Sequence, residues 1–455
     1  MSNDLSNKKN SQYNIMIARP IEKLLISLSI PTIASMLVTT LYNIVDAAFV
    51  GMLGTSQSGA TGIVGGFMAI LQAIAFMCGQ GCGSLLSRRL GQKKNDEATM
   101  YASTGFCMSF SLGLITAVCS FIFMPQLLNI LGSTVTIAPY ARTYLTYILI
   151  AAPLFTSSLT LNNILRYEGK AKFGTIALMT GGILNILGDA LLMCVFKLGI
   201  AGAGISTAVT QTISFAIIVS IFFRGKTETK LSIKYVAREF KVFIEIAATG
   251  FPSMVRQGLN SVATMILNKN AGIYGDQAVA AMSIVGRLSF FPMAVAIGIG
   301  QGFQPISGFN YGAGRRDRVK EAYYKALVGA ELALIIVSIP LFIFAPWAVA
   351  RLRDDVDVIE IGVRALRLIC VAQLFVPLSM MTEMGFQIVG RKMLATISSS
   401  LRSGIVFIPT LIILARFRGL SGIQEAQPVS FIITFVICLF FSRIYLNGLG
   451  DKSMQ

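Results

Sequence analysis

The sequence predicts an all-α integral membrane protein with twelve transmembrane helices in two pseudo-symmetric six-helix lobes, and three observations carry that prediction. First, 54% of the 455 residues are hydrophobic, 13% are charged and the mean hydropathy is +0.71, whereas soluble domains carry about 25% charged residues. Second, apolar stretches long enough to cross about 30 Å of hydrocarbon as helices recur along the whole chain. Third, landmarks of the first half return 221 residues later: Pro31 as Pro252, Gly54 as Gly275, the run GQG at 79–81 as 300–302, Gly91 as Gly312 and Gly169 as Gly390. The chain is a tandem duplication, each copy one structural repeat.

In chain order the apolar stretches predict spans near 22–50, 60–87, 99–123, 138–165, 174–196 and 201–223, then near 242–270, 278–308, 320–345, 359–386, 395–417 and 421–446. The expected organisation is an N-lobe at 1–223, a linker at 224–241 and a C-lobe at 242–455. An even number of spans per copy brings both copies in from the same side, so an axis along the membrane normal relates them.

The net charge of +17 follows this topology and does not require nucleic acid. Basic residues crowd alternate loops: Lys8, Lys9, Arg19 and Lys23 before the first span, Arg88, Arg89, Lys93 and Lys94 after the second, Arg166, Lys170 and Lys172 after the fourth, and six from Arg224 to Lys241. Arg315, Arg316, Arg318, Lys320 and Lys325 follow, then Arg391 and Lys392, while the loop at 51–59 carries none. By the positive-inside rule both termini and the linker are expected to be cytoplasmic in a multi-pass membrane protein.

Several chemistries are disfavoured. The chain has no His, which removes the commonest general base and every His-dependent triad. No Gly-rich loop precedes a Lys-Ser/Thr pair, so ATP hydrolysis is not expected. Seven cysteines sit in or near spans, and without His or a second closely spaced Cys pair beside Cys78 and Cys82 they predict neither a metal site nor a disulfide framework. No enzyme activity and no cofactor are expected, so an ion gradient must drive any transport.

Carboxylates inside spans are where a gradient acts, because inserting an ionised Asp at a helix centre costs about 2.5–3.5 kcal/mol. Asp46 lies deep in the first span and Asp189 in the fifth; Asn185 stands one helical turn before Asp189, and Thr207 adds a hydroxyl in the sixth. Such groups either couple an ion or merely tie neighbouring helices together. The duplication favours the first reading: the positions matching Asp46, Asn185 and Asp189 are Leu267, Val406 and Thr410, and a one-residue register shift (Gly199 and Gly202 to Gly419 and Gly422) matches Thr207 to Gln427. A packing network would be needed in both lobes; this cluster has no twin.

The run LYNIVDAAFVG at 41–51, with Pro31 upstream, LRYEGKAKFG at 165–174, NILGD at 185–189 and FFPMAVAIGIGQGFQPISGFNYGAGRR at 290–316 resemble the multidrug and toxic compound extrusion (MATE) transporters, in particular their bacterial and archaeal DinF-like branch. The resemblance covers essentially the whole chain. It implies a V-shaped pair of six-helix lobes, alternating access, and export of cationic or amphipathic small molecules in exchange for H⁺ or Na⁺. The family's cation-responsive positions match Asp46, Asn185, Asp189 and Thr207, which makes them a candidate Na⁺ site as well, and Tyr42 and Asn162 match cavity-lining positions.

Facing carboxylates in a low-dielectric cavity cannot both be charged cheaply, so one takes a proton or the two share Na⁺ with the Asn and Thr oxygens. Pro31 leaves a carbonyl of the first helix without its usual donor and is the expected hinge. In the second lobe Glu383 falls at the position matching Asn162, with Arg287 as its expected partner and Arg256 next. Flexible Met254 joins Glu383 and Arg287 as an expected cavity residue. Besides substrates, only lipid is an expected partner, and the protein is expected to be a monomer. The alternative function is a lipid-linked precursor flippase of the same wider superfamily, which calls for an Arg-rich cavity.

Overall fold

The computed structural model describes residues 12–450, so Lys8 and Lys9 lie outside the described residues. The described chain is helical throughout, with no strand. Its long elements are α1 (Ile21–Gly51), α2 (Thr55–Gly91), α3 (Asn95–Ile122), α4 (Ala138–Tyr167), α5 (Ala171–Val195), α6 (Gly199–Phe223), α7 (Phe240–Gly272), α8 (Asp276–Gly312), α9 (Arg316–Ile343), α10 (Val356–Val389) and α11 (Lys392–Gly448). Ten of them are long and apolar enough to span a membrane. The other, α7, is less apolar because it carries Glu245, Arg256 and Lys269. Since α11 breaks at Gly419 (φ 61°, ψ −136°) into two arms, the helical passes match the twelve predicted stretches. Most helices overrun those stretches by a few residues; α2 and α8, at 37 residues each, reach about 55 Å and project beyond the hydrocarbon.

The duplication is legible in the backbone. Gly169 and Gly390 end their helices at φ 81° and 82°, while Gly199 and Gly419 adopt φ 57° and 61°, so the one-residue register shift survives in the structure. Left-handed backbone of this kind is open to glycine at little cost.

The chain forms two compact units, the first comprising Ala34–Met254 with the segment ending at Ala18, the second Arg19–Ile33 with the chain from Val255 onward. The changeovers fall inside α1 and α7, in each case two residues after the duplicated proline, Pro31 or Pro252. In the first unit the start of α7 packs on α2 so closely that a Cβ on Gly81 would collide with the Ile246 carbonyl, and one on Gly250 with that of Met77. The second unit repeats the arrangement with the start of α1: a Cβ on Gly302 would meet Ser29, and one on Gly298 would meet Ile33.

Each unit has its own apolar core. Phe67, Leu71, Leu145, Leu149 and Phe155 centre the first; Met282, Val285, Leu366, Ile369, Leu411 and Ile423 centre the second. Large apolar side chains also cover the outside, among them Ile115, Phe121, Phe223, Ile336, Trp347 and Phe440. In water such a surface would aggregate; in hydrocarbon it is solvated.

The connection after α6 is strapped to the first unit. In the turn following α4, Glu168 accepts the backbone N–H groups of Glu228 (2.9 Å) and Thr229 (3.0 Å) and the Thr229 hydroxyl. Lys170 pairs with Glu228 at 2.7 Å. Further along, Ser103 donates to the Lys230 carbonyl (2.9 Å), the Ala237 N–H donates to Thr104 (2.9 Å) and Tyr101 donates to Glu245 (2.8 Å). Burial pushes the Glu168 carboxyl up to about 7 against the opposing pull of Lys170 and the three donors.

Candidate functional site

Three helices, α1, α5 and α6, bring the predicted cluster together in the first unit. Tyr42 and Asp46 stand one turn apart on α1 and share a face; Asn185 and Asp189 do the same on α5, both buried. The carboxyls of Asp46 and Asp189 approach each other, and Ser206 of α6 approaches Asp189. Yet both Asp189 oxygens and Asp46 Oδ1 are buried with no aligned hydrogen-bond donor among the described residues. A buried oxygen pair of this kind is costly unless something positive fills it.

The neutral members are tied to one another. Asn185 Nδ2 donates to the hydroxyls of Ser206 (3.3 Å) and Thr207 (3.4 Å), and Ser206 Oγ returns a bond to the Asn185 carbonyl (3.1 Å). This tight helix pairing depends on small residues: a Cβ on Gly188 would lie 2.5 Å from Ser206 Oγ, and one on Gly182 would lie 2.9 Å from the Tyr42 ring. Immediately after Asp189, α5 widens into a π-turn, Ala190–Val195, closed by Phe196 N–H on the Leu191 carbonyl (3.0 Å). Such turns rotate the following residues out of α-helical register and recur at functional sites.

Two contributors escaped the sequence reading. Ser206 is bonded to Asn185 and approaches Asp189, and Tyr144 of α4, 3% exposed, faces Asp46, Asp189, Tyr42 and Thr207. A tyrosine hydroxyl within an apolar span was the available signal for the second; for Ser206, only its place beside Thr207. Asn162 lies elsewhere, against Gly174, which is eleven residues before Asn185 and so about 16 Å away along α5. Pro31 is inside continuous α1, about 22 Å along the helix from Asp46.

The second unit differs from expectation in its ion pair. Glu383 is bonded to Arg256, not to Arg287, which is exposed. Position along a helix did not reveal which arginine reaches α10: Arg256 pairs with Glu383 and Arg287 does not. Met254 is partly buried on α7, two residues before Arg256. The Glu383 side chain is 3% exposed and that of Arg256 18%. Among the described residues, no carboxylate pair like that of the first unit accompanies them.

A family profile described as MatE matches residues 31–191 and 252–413, one match in each copy of the duplication. Multidrug export protein MepA of Staphylococcus aureus is 24% identical over 445 residues, covering 98% of this chain and 97% of that protein. MepA of Staphylococcus saprophyticus is 25% identical over 431 residues, covering 93% of each. Among solved structures, a MATE protein in complex with MaL6 superposes with a TM-score of 0.92 at 23% identity, covering 96% of this chain and 99% of the other. An outward-facing multidrug resistance MATE family transporter of the MOP superfamily superposes with a TM-score of 0.91 at 23% identity, covering 96% and 98%.

Proposed function

Because the chain belongs to the MatE family, we propose that it exports cationic or amphipathic small molecules, its first unit exchanging them for entering H⁺ or Na⁺. The observation that carries this reading is the facing pair Asp46 and Asp189, of which Asp46 Oδ1 and both Asp189 oxygens are buried without a donor among the described residues. Two such carboxyls hold one charge comfortably and two poorly. A proton on either, or Na⁺ held by both with oxygens of Asn185 and Thr207, removes negative charge and with it the attraction for a cationic substrate. Ion and substrate thus exclude each other at the same carboxylates. The names of the MepA relatives support multidrug export, and the loop distribution of Lys and Arg supports an inner-membrane orientation with the 224–239 connection facing the cytoplasm.

The test is dye efflux from cells and from proteoliposomes under an imposed pH gradient and, separately, a Na⁺ gradient. Asp46→Asn and Asp189→Asn keep side-chain size and remove the titrating charge, so each should abolish gradient-driven efflux at normal expression. Either variant pumping like the parent would remove that residue from the coupling role.

A further inference from the structure

The second unit holds a charge group of opposite sign. Arg256 of α7 and Glu383 of α10 form an ion pair, and a third charge, Arg402 of α11, lies within electrostatic reach of both. Two guanidiniums against one carboxylate leave the group with one excess positive charge. Among the described residues no acceptor is bonded to the Arg402 guanidinium. Glu331, another carboxylate in a helix of this unit, is influenced by none of these three groups.

The backbone presents Arg402 deliberately. It sits in a second π-turn, Leu401–Ile405, closed by Val406 N–H on the Leu401 carbonyl (3.0 Å), while Ser430 of the following arm donates to the Arg402 carbonyl (3.4 Å). Arg256 and Arg402 are partly exposed, whereas Glu383 is closed off. The carboxylate is thus already engaged by Arg256, and the Arg402 guanidinium stands beside the pair with its donors unclaimed by it. An unbalanced arginine inside a membrane protein is expensive and marks a ligand path more often than a packing need.

We propose that Arg402, supported by the Arg256–Glu383 pair, binds an oxyanion carried by an amphipathic substrate, a carboxylate or sulfonate that the planar guanidinium fork engages through paired hydrogen bonds. This deepens the export reading by naming a second substrate class, molecules that bear an anionic group beside their cationic or aromatic part. Glu383 holds Arg256 in place and restricts the site to a single negative charge.

Equilibrium binding to detergent-purified protein, read by fluorescence anisotropy, tests this without any gradient, so failure of the antiport reading would not affect it. Rhodamine B carries a free carboxylate; its ethyl ester presents the same ring system without one. The parent should favour the acid, and Arg402→Gln should collapse the acid-to-ester affinity ratio about ten- to a hundredfold, the worth of one charge-assisted bidentate contact. Arg402→Lys, which keeps the charge but not the fork, should give a smaller drop and serves if the Gln variant does not fold. An unchanged ratio in these variants, or a parent that binds neither dye, overturns the proposal. Displacement of rhodamine B by phosphatidylglycerol but not by benzoate or benzenesulfonate would assign the site to a lipid headgroup and also overturn it.

Discussion

Removing the carboxylate of the Arg256–Glu383 pair should be among the most damaging conservative changes in the second unit. Glu383→Gln preserves volume but leaves Arg256 and Arg402 facing each other with no negative charge between them. Breaking one end of a buried pair costs about 3–5 kcal/mol, and the near-complete burial of Glu383, 3% exposed, places this site at the upper part of that range. Arg256→Gln alone strands Glu383, but Arg402 still compensates it, so a smaller loss of about 1–3 kcal/mol is expected. The double variant removes both ends and should recover much of the Glu383→Gln loss, with a coupling energy of about 2 kcal/mol or more between the two positions. Arg287→Gln, on an exposed side chain, should neither destabilise nor rescue. Melting curves of the detergent-solubilised singles and doubles supply the cycle. Strictly additive losses for Arg256→Gln and Glu383→Gln, or rescue by Arg287→Gln, would refute the pairing as the source of stability.

The remaining predictions concern the rest of the molecule. Glu168, fully buried with its carboxyl raised to about 7, binds its proton more tightly folded than unfolded; the stability this gives is complete below pH 4.5, is lost as pH rises through about 7, and amounts to about 3 kcal/mol at most. Melting curves from pH 5 to 8 should fall for the parent and flatten in Glu168→Gln; an equal slope in both would exclude Glu168. Gly81→Ala, whose Cβ meets the Ile246 backbone, should destabilise by about 1–3 kcal/mol or more, whereas Gly62→Ala, with open space around it, should be neutral or stabilising by up to about 1 kcal/mol; comparable melting temperatures for the two would contradict the close α2–α7 contact. Asp46→Leu combined with Leu267→Asp should stay inactive in dye efflux, because Val406 and Thr410 offer no partner carboxylate; recovered pumping would show the copies to be interchangeable.

Much of this was legible from residues alone because it depends on composition and period. Hydropathy located the long helices but not the short ones at Met124–Ile130 and Ala345–Leu352, and glycines at a fixed offset announced both the repeat and its register shift, confirmed by the matching φ of Gly199 and Gly419. Asp46, Asn185, Asp189 and Thr207 were identifiable because polar groups stand out against an apolar span, and the structure brings all four together. Rotational phase was not legible. Arg287 and Arg256 look equivalent as letters, and only packing shows which one faces α10. Tyr144 and Ser206 were hidden for a related reason: hydroxyls satisfy themselves on helix carbonyls so often that their presence in a span carries little information. The π-turns at 190–195 and 401–405 have no local sequence signature, since they arise where tertiary contacts repay a lost α-helical bond.

The changeovers inside α1 and α7 bear on biosynthesis. The segment Arg19–Ile33 leaves the ribosome early, yet the glycines it fits, Gly298 and Gly302, are made some 270 residues later. Conversely, the first unit lacks its last segment until Met254 has been synthesised. At elongation rates of about 5–20 residues per second, the start of α1 therefore waits in the membrane on the order of ten seconds or more without its final neighbours. Neither half of the duplicated sequence, expressed alone, contains a complete unit; two separately made halves could assemble only by each supplying the other's missing segment.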